Sequence, residues 1–248
     1  MAILRNCIGV LNTHWEAKLK SAGEERWLHA QESEAKWWAQ GEFAMKHFSR
    51  EYWAWVLGND ELGTDFWEDQ KVLEIGCGPK GPIYYFPEAK QRIGVEPLAD
   101  YYRSMNLLAD PEMELLTGIG EKLTLPDNSM TRIIIFNVLD HAQSPLQCLQ
   151  EAYRVAEPGA TLYLASNVFP KWLTRIQWLL TLIDHPHPHH FVPKDLVDLV
   201  KSAGWNITKT GPSQVEQSLS IRDRFRPLGM KKTVAHLVKK WFHIIATK

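Results

Sequence analysis

Three glycines (Gly76, Gly78, Gly81), two carboxylates (Glu74, Glu96) and one imidazole (His141) are the residues whose types and spacing could do chemistry. The glycines end the run Val72-Leu73-Glu74-Ile75-Gly76-Cys77-Gly78-Pro79-Lys80-Gly81, where an apolar stretch passes directly into a turn. With no Cβ in the way, such a turn lets a ligand come close to the backbone. Glu96 closes the next apolar run, Arg92-Ile93-Gly94-Val95-Glu96-Pro97, twenty positions after Gly76. A glycine turn followed by a carboxylate at that distance suits a nucleoside: backbone for the linker, carboxylate for the ribose hydroxyls.

By letter, Gly76, Gly78 and Gly81 also spell the dinucleotide pattern G-x-G-x-x-G. That version needs its third glycine inside a regular helix packed on the strand. Here Pro79 and Pro82 bracket Gly81, and Pro87 comes soon after. Proline removes a backbone donor and suits only the first turn of a helix. A ligand without phosphate, gripped by the loop backbone, fits better than a pyrophosphate, and a nicotinamide-dependent oxidoreductase is the weaker alternative. Cys77 reads as a small residue filling a tight turn, because nothing beside it in sequence would lower a thiol pKa.

Five segments in order carry a resemblance: Val72–Pro79, Ile93–Pro97, Gly118–Met130, Ile133–His141 and Leu149–Ala160. Together they resemble class I S-adenosylmethionine-dependent methyltransferases, over the middle of the chain. The resemblance implies S-adenosylmethionine as methyl donor and S-adenosylhomocysteine as product. It implies that Gly76, Cys77 and Gly78 approach the methionine moiety, with Glu74 fixing the loop and its contact to the amino group. Glu96, followed by Pro97, would accept from the ribose hydroxyls, and Leu98 would cover one face of the adenine. The adenine loop departs from the family, with Ile119 where an aspartate is usual. Gly120 and Glu121 could still serve there, through backbone or side chain, or Ile119 could pack on the ring. Asn137 would reach the donor's amino group. His141 is the candidate general base, since an unperturbed imidazole titrates near neutral pH. Asp140 would orient it or act alone.

Positioning these residues requires an alternation of strands and helices, and the chain supplies one. Strands are expected at 71–75, 91–95, 113–117, 131–137, 160–167, 205–211 and 241–247, with helices at 98–109, 144–156 and 193–203. This predicts an α/β fold: a doubly wound, mostly parallel, seven-stranded Rossmann-like sheet with ligands at the carboxyl ends of its strands. Residues 1–68 differ, holding seven of the eleven tryptophans, and read as a helical cap on a domain spanning 69–248. Its aromatic faces would mainly pack on the core, with some walling the site. Two insertions, 169–192 and 212–240, would act as lids that carry specificity.

The first insertion holds His185, His187, His189 and His190, separated by Pro186 and Pro188. Prolines keep that run extended, so the imidazoles stand too far apart to chelate one ion easily, and no metal is expected. One of these histidines could replace His141 as base. The second insertion and the C-terminal residues beyond it are basic, with eight Lys or Arg against Asp223 over 222–248. The plain reading is a solvated helix face; a sharper one is peripheral contact with a membrane or a phosphate-bearing acceptor.

The whole chain of 248 residues carries a net charge of −1, so it lacks a basic footprint for nucleic acid. Three scattered cysteines form no disulfide framework, and no targeting or spanning segment is evident, so a cytoplasmic location is expected. Two functions are consistent with these readings: methyl transfer to a small-molecule or sugar acceptor, most reasonably at oxygen, or a non-catalytic module that keeps the nucleoside-binding fold. The sequence is silent on the acceptor's identity and on oligomeric state.

Overall fold

The computed structural model describes residues 22–39, 48–57, 67–176, 189–212 and 239–248. His185 and His187, most of the basic 212–240 segment and much of the 169–192 insertion lie outside the described residues. Two helices come first, α1 (Ala22–Ala39) and α2 (Arg50–Leu57). Next come β1 (Lys71–Ile75), a short 3-10 turn (Pro82–Tyr85), β2 (Gln91–Glu96), α3 (Ala99–Ser104), β3 (Glu114–Thr117) and β4 (Met130–Phe136). The remainder is α4 (Pro145–Val155), β5 (Ala156–Val168), α5 (Pro193–Ser202), β6 (Asn206–Pro212) and β7 (Lys240–Thr247).

The strands form one seven-stranded sheet in the order β3-β2-β1-β4-β5-β7-β6. Strands β1 to β5 pair in parallel, and β7 runs antiparallel between β5 and β6. The expected doubly wound, mostly parallel architecture is therefore present. Its strand order reverses direction between β1 and β4, which opens a crevice beyond their carboxyl ends.

Side-chain alternation explains why β4 can sit in the middle. Ile133 and Ile135 join a core with Leu149, Ala152 and Val155 of α4 and Leu196 and Val200 of α5. Ile134 and Phe136 join the core on the other face with Trp53, Val56 and Leu57 of α2. A strand covered on both faces reads as an unbroken apolar run, as Ile133-Ile134-Ile135 does. Each of these isoleucines is fully buried, worth about 1.5–3 kcal/mol apiece. Helix α1 makes a smaller contact, placing Ala35 and Trp38 against Leu98, Tyr101 and Tyr102.

One expected helix is shorter than its pattern. Residues 98–109 suggest a continuous helix, but α3 stops at Ser104. Asn106 takes φ 52°, and the Leu107 N–H donates back to the Tyr102 carbonyl at 3.0 Å. That is a helix end sealed by a left-handed residue, a role asparagine tolerates. The chain then turns toward the glycine loop, where the Ala109 N–H donates to the Pro79 carbonyl at 3.0 Å.

Candidate active site

Where β1 ends, the backbone turns sharply. Gly76 and Gly78 both take positive φ, 66° and 52°. A Cβ on Gly76 would overlap the Val138 side chain, and one on Gly78 would touch the Trp38 ring at 3.5 Å. The prolines do what their chemistry requires: the chain after Gly81 makes only the four-residue 3-10 turn, with Pro82 in its first positions. The long helix that a pyrophosphate would need is not formed there. Gly76→Ala should lower Tm by several degrees and weaken donor binding at least tenfold, because strain and overlap add. Thermal melting with and without S-adenosylhomocysteine reads both effects.

Glu74 holds this loop from beneath. Its Oε2 accepts the Ile83 N–H at 2.8 Å, and a Cβ on Gly81 would stand 2.5 Å from its Oε1. The carboxyl is buried, and desolvation pushes it well above the usual carboxylate range, against the pull of that hydrogen bond. Cys77 turns inward: its Sγ lies 3.8 Å from the Tyr84 hydroxyl, and burial pushes its thiol up. It fills space under Gly94, and a raised thiol pKa disfavours the thiolate that a nucleophile needs.

Glu96 ends β2 beside the same loop. Its Oε2 accepts the Gly78 N–H and its Oε1 the Leu98 N–H, each at 3.0 Å. Burial raises this carboxyl to about 7, with the two N–H groups opposing the rise and Glu34 adding to it. Each carboxylate oxygen keeps a second lone pair, so the group is built to accept two further hydroxyl protons.

Two adjoining cavities lie at this edge. The larger, about 370 Å³, is bounded by the glycine loop, Glu74, Phe136, Asn137, His141 and Asn167, and by aromatic side chains of the first two helices and β7. The smaller, about 80 Å³, is bounded by Glu96, Pro97, Tyr102, Ile119, Gly120, Glu121 and Val138, with Trp27 and Gln31 of α1 above. Glu34, Gly76, Gly78, Asn137 and His141 belong to both. The smaller has Glu96 and Ile119 on its boundary, and the glycine turn joins it to the larger.

Sequence-chosen residues divide between lining this space and supporting it. Glu121 lines the small cavity, but its Oε1 is taken by the N–H groups of Gln143 and Ser144, at 2.7 and 3.1 Å. It thus pins the entrance to α4. Gly120 packs so tightly on Cys148 that a Cβ would come within 2.5 Å of the sulfur. Leu98 offers its backbone to Glu96, while its side chain is buried with Tyr101 and Tyr102 and does not border the smaller cavity. Asp140 is likewise buried, behind the wall; Asn167 Nδ2 lies 3.5 Å from its Oδ2, and its carbonyl accepts the His189 N–H at 3.3 Å. His189 Nε2 stands 2.9 Å from the Ala142 carbonyl, which fastens that part of the insertion to the His141 segment.

Asn137 is the residue the sequence placed without its strain. It takes φ 54° at the end of β4, and its Oδ1 accepts from Trp241 Nε1 at 2.7 Å and Asn167 Nδ2 at 3.2 Å. Neither Trp241 nor Asn167 was singled out by sequence pattern. The signal was available: an antiparallel last strand begins at the carboxyl edge of its parallel neighbour, and β7 pairs Trp241 with Asn167 of β5. Among the described residues, no group of His, Cys, Asp and Glu could hold a metal ion. Nor is any helix there long and apolar enough to cross a membrane.

Residues 73–164 match the family model described as a methyltransferase domain. The thiol S-methyltransferase TMT1B of Mus musculus is 28% identical over 103 residues, which are 39% of this chain and 42% of that protein. A protein of Mycolicibacterium smegmatis named a probable S-adenosylmethionine-dependent methyltransferase is 27% identical over 143 residues, 56% of this chain and 53% of its own length. The chain thus spans about half the length of these curated relatives. Geranyl diphosphate C-methyltransferase from Streptomyces coelicolor A3(2), solved with Mg²⁺, geranyl diphosphate and S-adenosylhomocysteine, shares the fold at a TM-score of 0.55 and 12% identity, over 80% of this chain and 76% of that one. With its glycine turn, its carboxylate at the end of β2 and its 3-2-1-4-5-7-6 sheet, this chain carries a class I S-adenosylmethionine-dependent methyltransferase domain.

Proposed function

We propose that the protein transfers a methyl group from S-adenosylmethionine to a small-molecule or sugar acceptor, at oxygen, with His141 as the proton acceptor. The observation that carries this reading is the placement of His141 on the boundary of both cavities, within reach of the donor side and the acceptor side. When bound, the donor supplies an electrophilic methyl on a positively charged sulfur. The chain's own residues then have three tasks: hold that sulfonium in line with the acceptor, exclude water, and remove one proton.

Holding falls to the loop backbone at Gly76 and Gly78 and to Glu96. Glu34, whose Oε1 accepts the Trp38 indole N–H at 2.8 Å, adds negative charge over both cavities, where a positively charged donor would lie. Exclusion of water falls to the helices ahead of the sheet, which supports treating residues 1–68 as a cap. Asp140 serves as a positioning residue behind Asn167 rather than a second base. Acceptors of this kind belong to the making of natural products or surface glycans. Buried free thiols at Cys77 and Cys148 support a reducing compartment such as the cytoplasm.

Calorimetry tests the donor half. S-Adenosylmethionine should bind the full chain at micromolar concentration. No heat of binding at millimolar ligand would sink the reading, and NAD(H) binding in its place would move the chain to another reaction class.

A further inference from the structure

We propose that the larger cavity accepts a flat, neutral aromatic ring bearing a hydroxyl, a phenol, in preference to a sugar or an ammonium compound; this narrows the acceptor of the methyl-transfer reading and rests on it. Three indoles border the cavity: Trp38, Trp53 and Trp241. Each commits its N–H inside the protein. Trp38 donates to Glu34 Oε1 at 2.8 Å, Trp53 to the Lys80 carbonyl at 3.0 Å, and Trp241 to Asn137 Oδ1 at 2.7 Å. These bonds fix the rings, so the three indoles offer the cavity π surface in place of donors.

Further contacts lock the same rings. Trp53 stacks on Phe48 at 5.3 Å and 9°, and its centroid lies 6.2 Å from that of Phe136. Phe136 meets Trp241 edge-on at 6.1 Å and stacks on His243 at 5.8 Å. A cavity of about 370 Å³ with one rigid aromatic wall, at the small end of the ~300–1,000 Å³ typical of small-molecule sites, favours a flat ring against that wall.

A sugar would fare poorly there. Each of its hydroxyls needs a partner, and one buried without a partner costs roughly tenfold in affinity. The indole donors of the wall are engaged and the Asn137 oxygen is already shared by Trp241 and Asn167, so a sugar would depend on the few other polar groups of the lining, such as Glu34, Lys80 and His141. An ammonium compound would be drawn to ring faces and to Glu34, but it would meet the positive charge of the donor and of Lys80, which borders the cavity. For a phenol that same lysine helps, because negative charge develops on the attacking oxygen. The O–CH₃ bond forms as the donor's S–CH₃ bond breaks; the pair stays on sulfur as a neutral thioether, and the phenolic proton passes to His141.

Binding to the full chain loaded with S-adenosylhomocysteine tests this without turnover. 2-Naphthol, methyl glucoside and phenethylamine are titrated in turn by calorimetry at neutral pH. We expect 2-naphthol to bind at least tenfold more tightly than either of the others. Equal or weaker binding of 2-naphthol, with S-adenosylhomocysteine bound normally, overturns the phenol assignment alone. Failure of S-adenosylhomocysteine to bind overturns the methyl-transfer reading and this one with it. Trp241→Phe keeps a ring but frees Asn137, and Trp53→Ala removes a ring. Each should weaken 2-naphthol at least fivefold, and by a clearly larger factor than it weakens S-adenosylhomocysteine. Unchanged 2-naphthol affinity in both variants also overturns the assignment.

Discussion

His141→Ala should lower kcat by about 10²-fold or more while donor affinity stays within about threefold, because a positioned base typically contributes 10²–10⁴-fold. The asymmetry follows from where the grips lie. In the proposed reading the donor is held by the loop after β1 and by Glu96 at the end of β2, which bond to each other, whereas His141 follows β4 and borders both cavities. Its backbone N–H is bonded to the Val138 carbonyl at 2.9 Å, so truncating the ring leaves that turn in place. Single-turnover methyl transfer beside calorimetry separates the two quantities. Equal losses in kcat and in donor affinity would reassign His141 to binding. A variant with full turnover would mean that no protein base acts, or that His189 or His190 does.

Glu96→Ala should raise the donor Kd on the order of 100-fold, with a smaller fall in kcat at saturating donor. Two hydroxyl protons lose a charged acceptor, each such hydrogen bond being worth about 1.5–3 kcal/mol, and the N–H groups of Gly78 and Leu98 lose theirs. An unchanged affinity would refute the ribose assignment. The same residue gives the wild type a pH signature. Burial lifts its carboxyl to about 7 in the empty protein, and ribose hydroxyls favour the ionised form. Donor affinity should therefore fall as pH drops below 7, approaching tenfold per unit, and binding near neutral pH should release protons into the buffer. Stability runs the other way. A carboxyl raised on folding contributes stability below its unfolded pKa and loses it as pH rises toward 7. The donor-induced rise in Tm should accordingly be larger at pH 8 than at pH 6.

Much of the fold was legible because the sheet is buried on both faces. Unbroken apolar runs such as Ile133–Phe136 announce a central parallel strand, and Lys71–Ile75 is a strand with the bounds its pattern gives. Helix α3 was overdrawn because Asn106 ends it by conformation, and side-chain periodicity does not report φ. Loop Gly76–Gly81 and Glu96 were legible because their chemistry is local: backbone and one carboxylate within a short stretch. The acceptor side was not. Its wall brings together Trp53, Phe136, Asn137, Asn167 and Trp241, with 104 positions separating Asn137 from its partner Trp241. Only β7 entering antiparallel beside β5 makes them neighbours. Leu98 and Asp140 show a milder form of the same limit: sequence adjacency to the site is real, but the pleat and the turn send both side chains inward.

The hydrogen bond from Trp53 to the Lys80 carbonyl joins the acceptor wall to the donor loop. We propose that this bond couples the two seats, which would make the two binding events one linked equilibrium. Linkage makes the coupling reciprocal: whatever factor the donor confers on acceptor affinity, the acceptor returns to the donor. Where that coupling is positive, losing either product after transfer loosens the hold on the other by the same factor, so a tight donor site need not mean slow turnover.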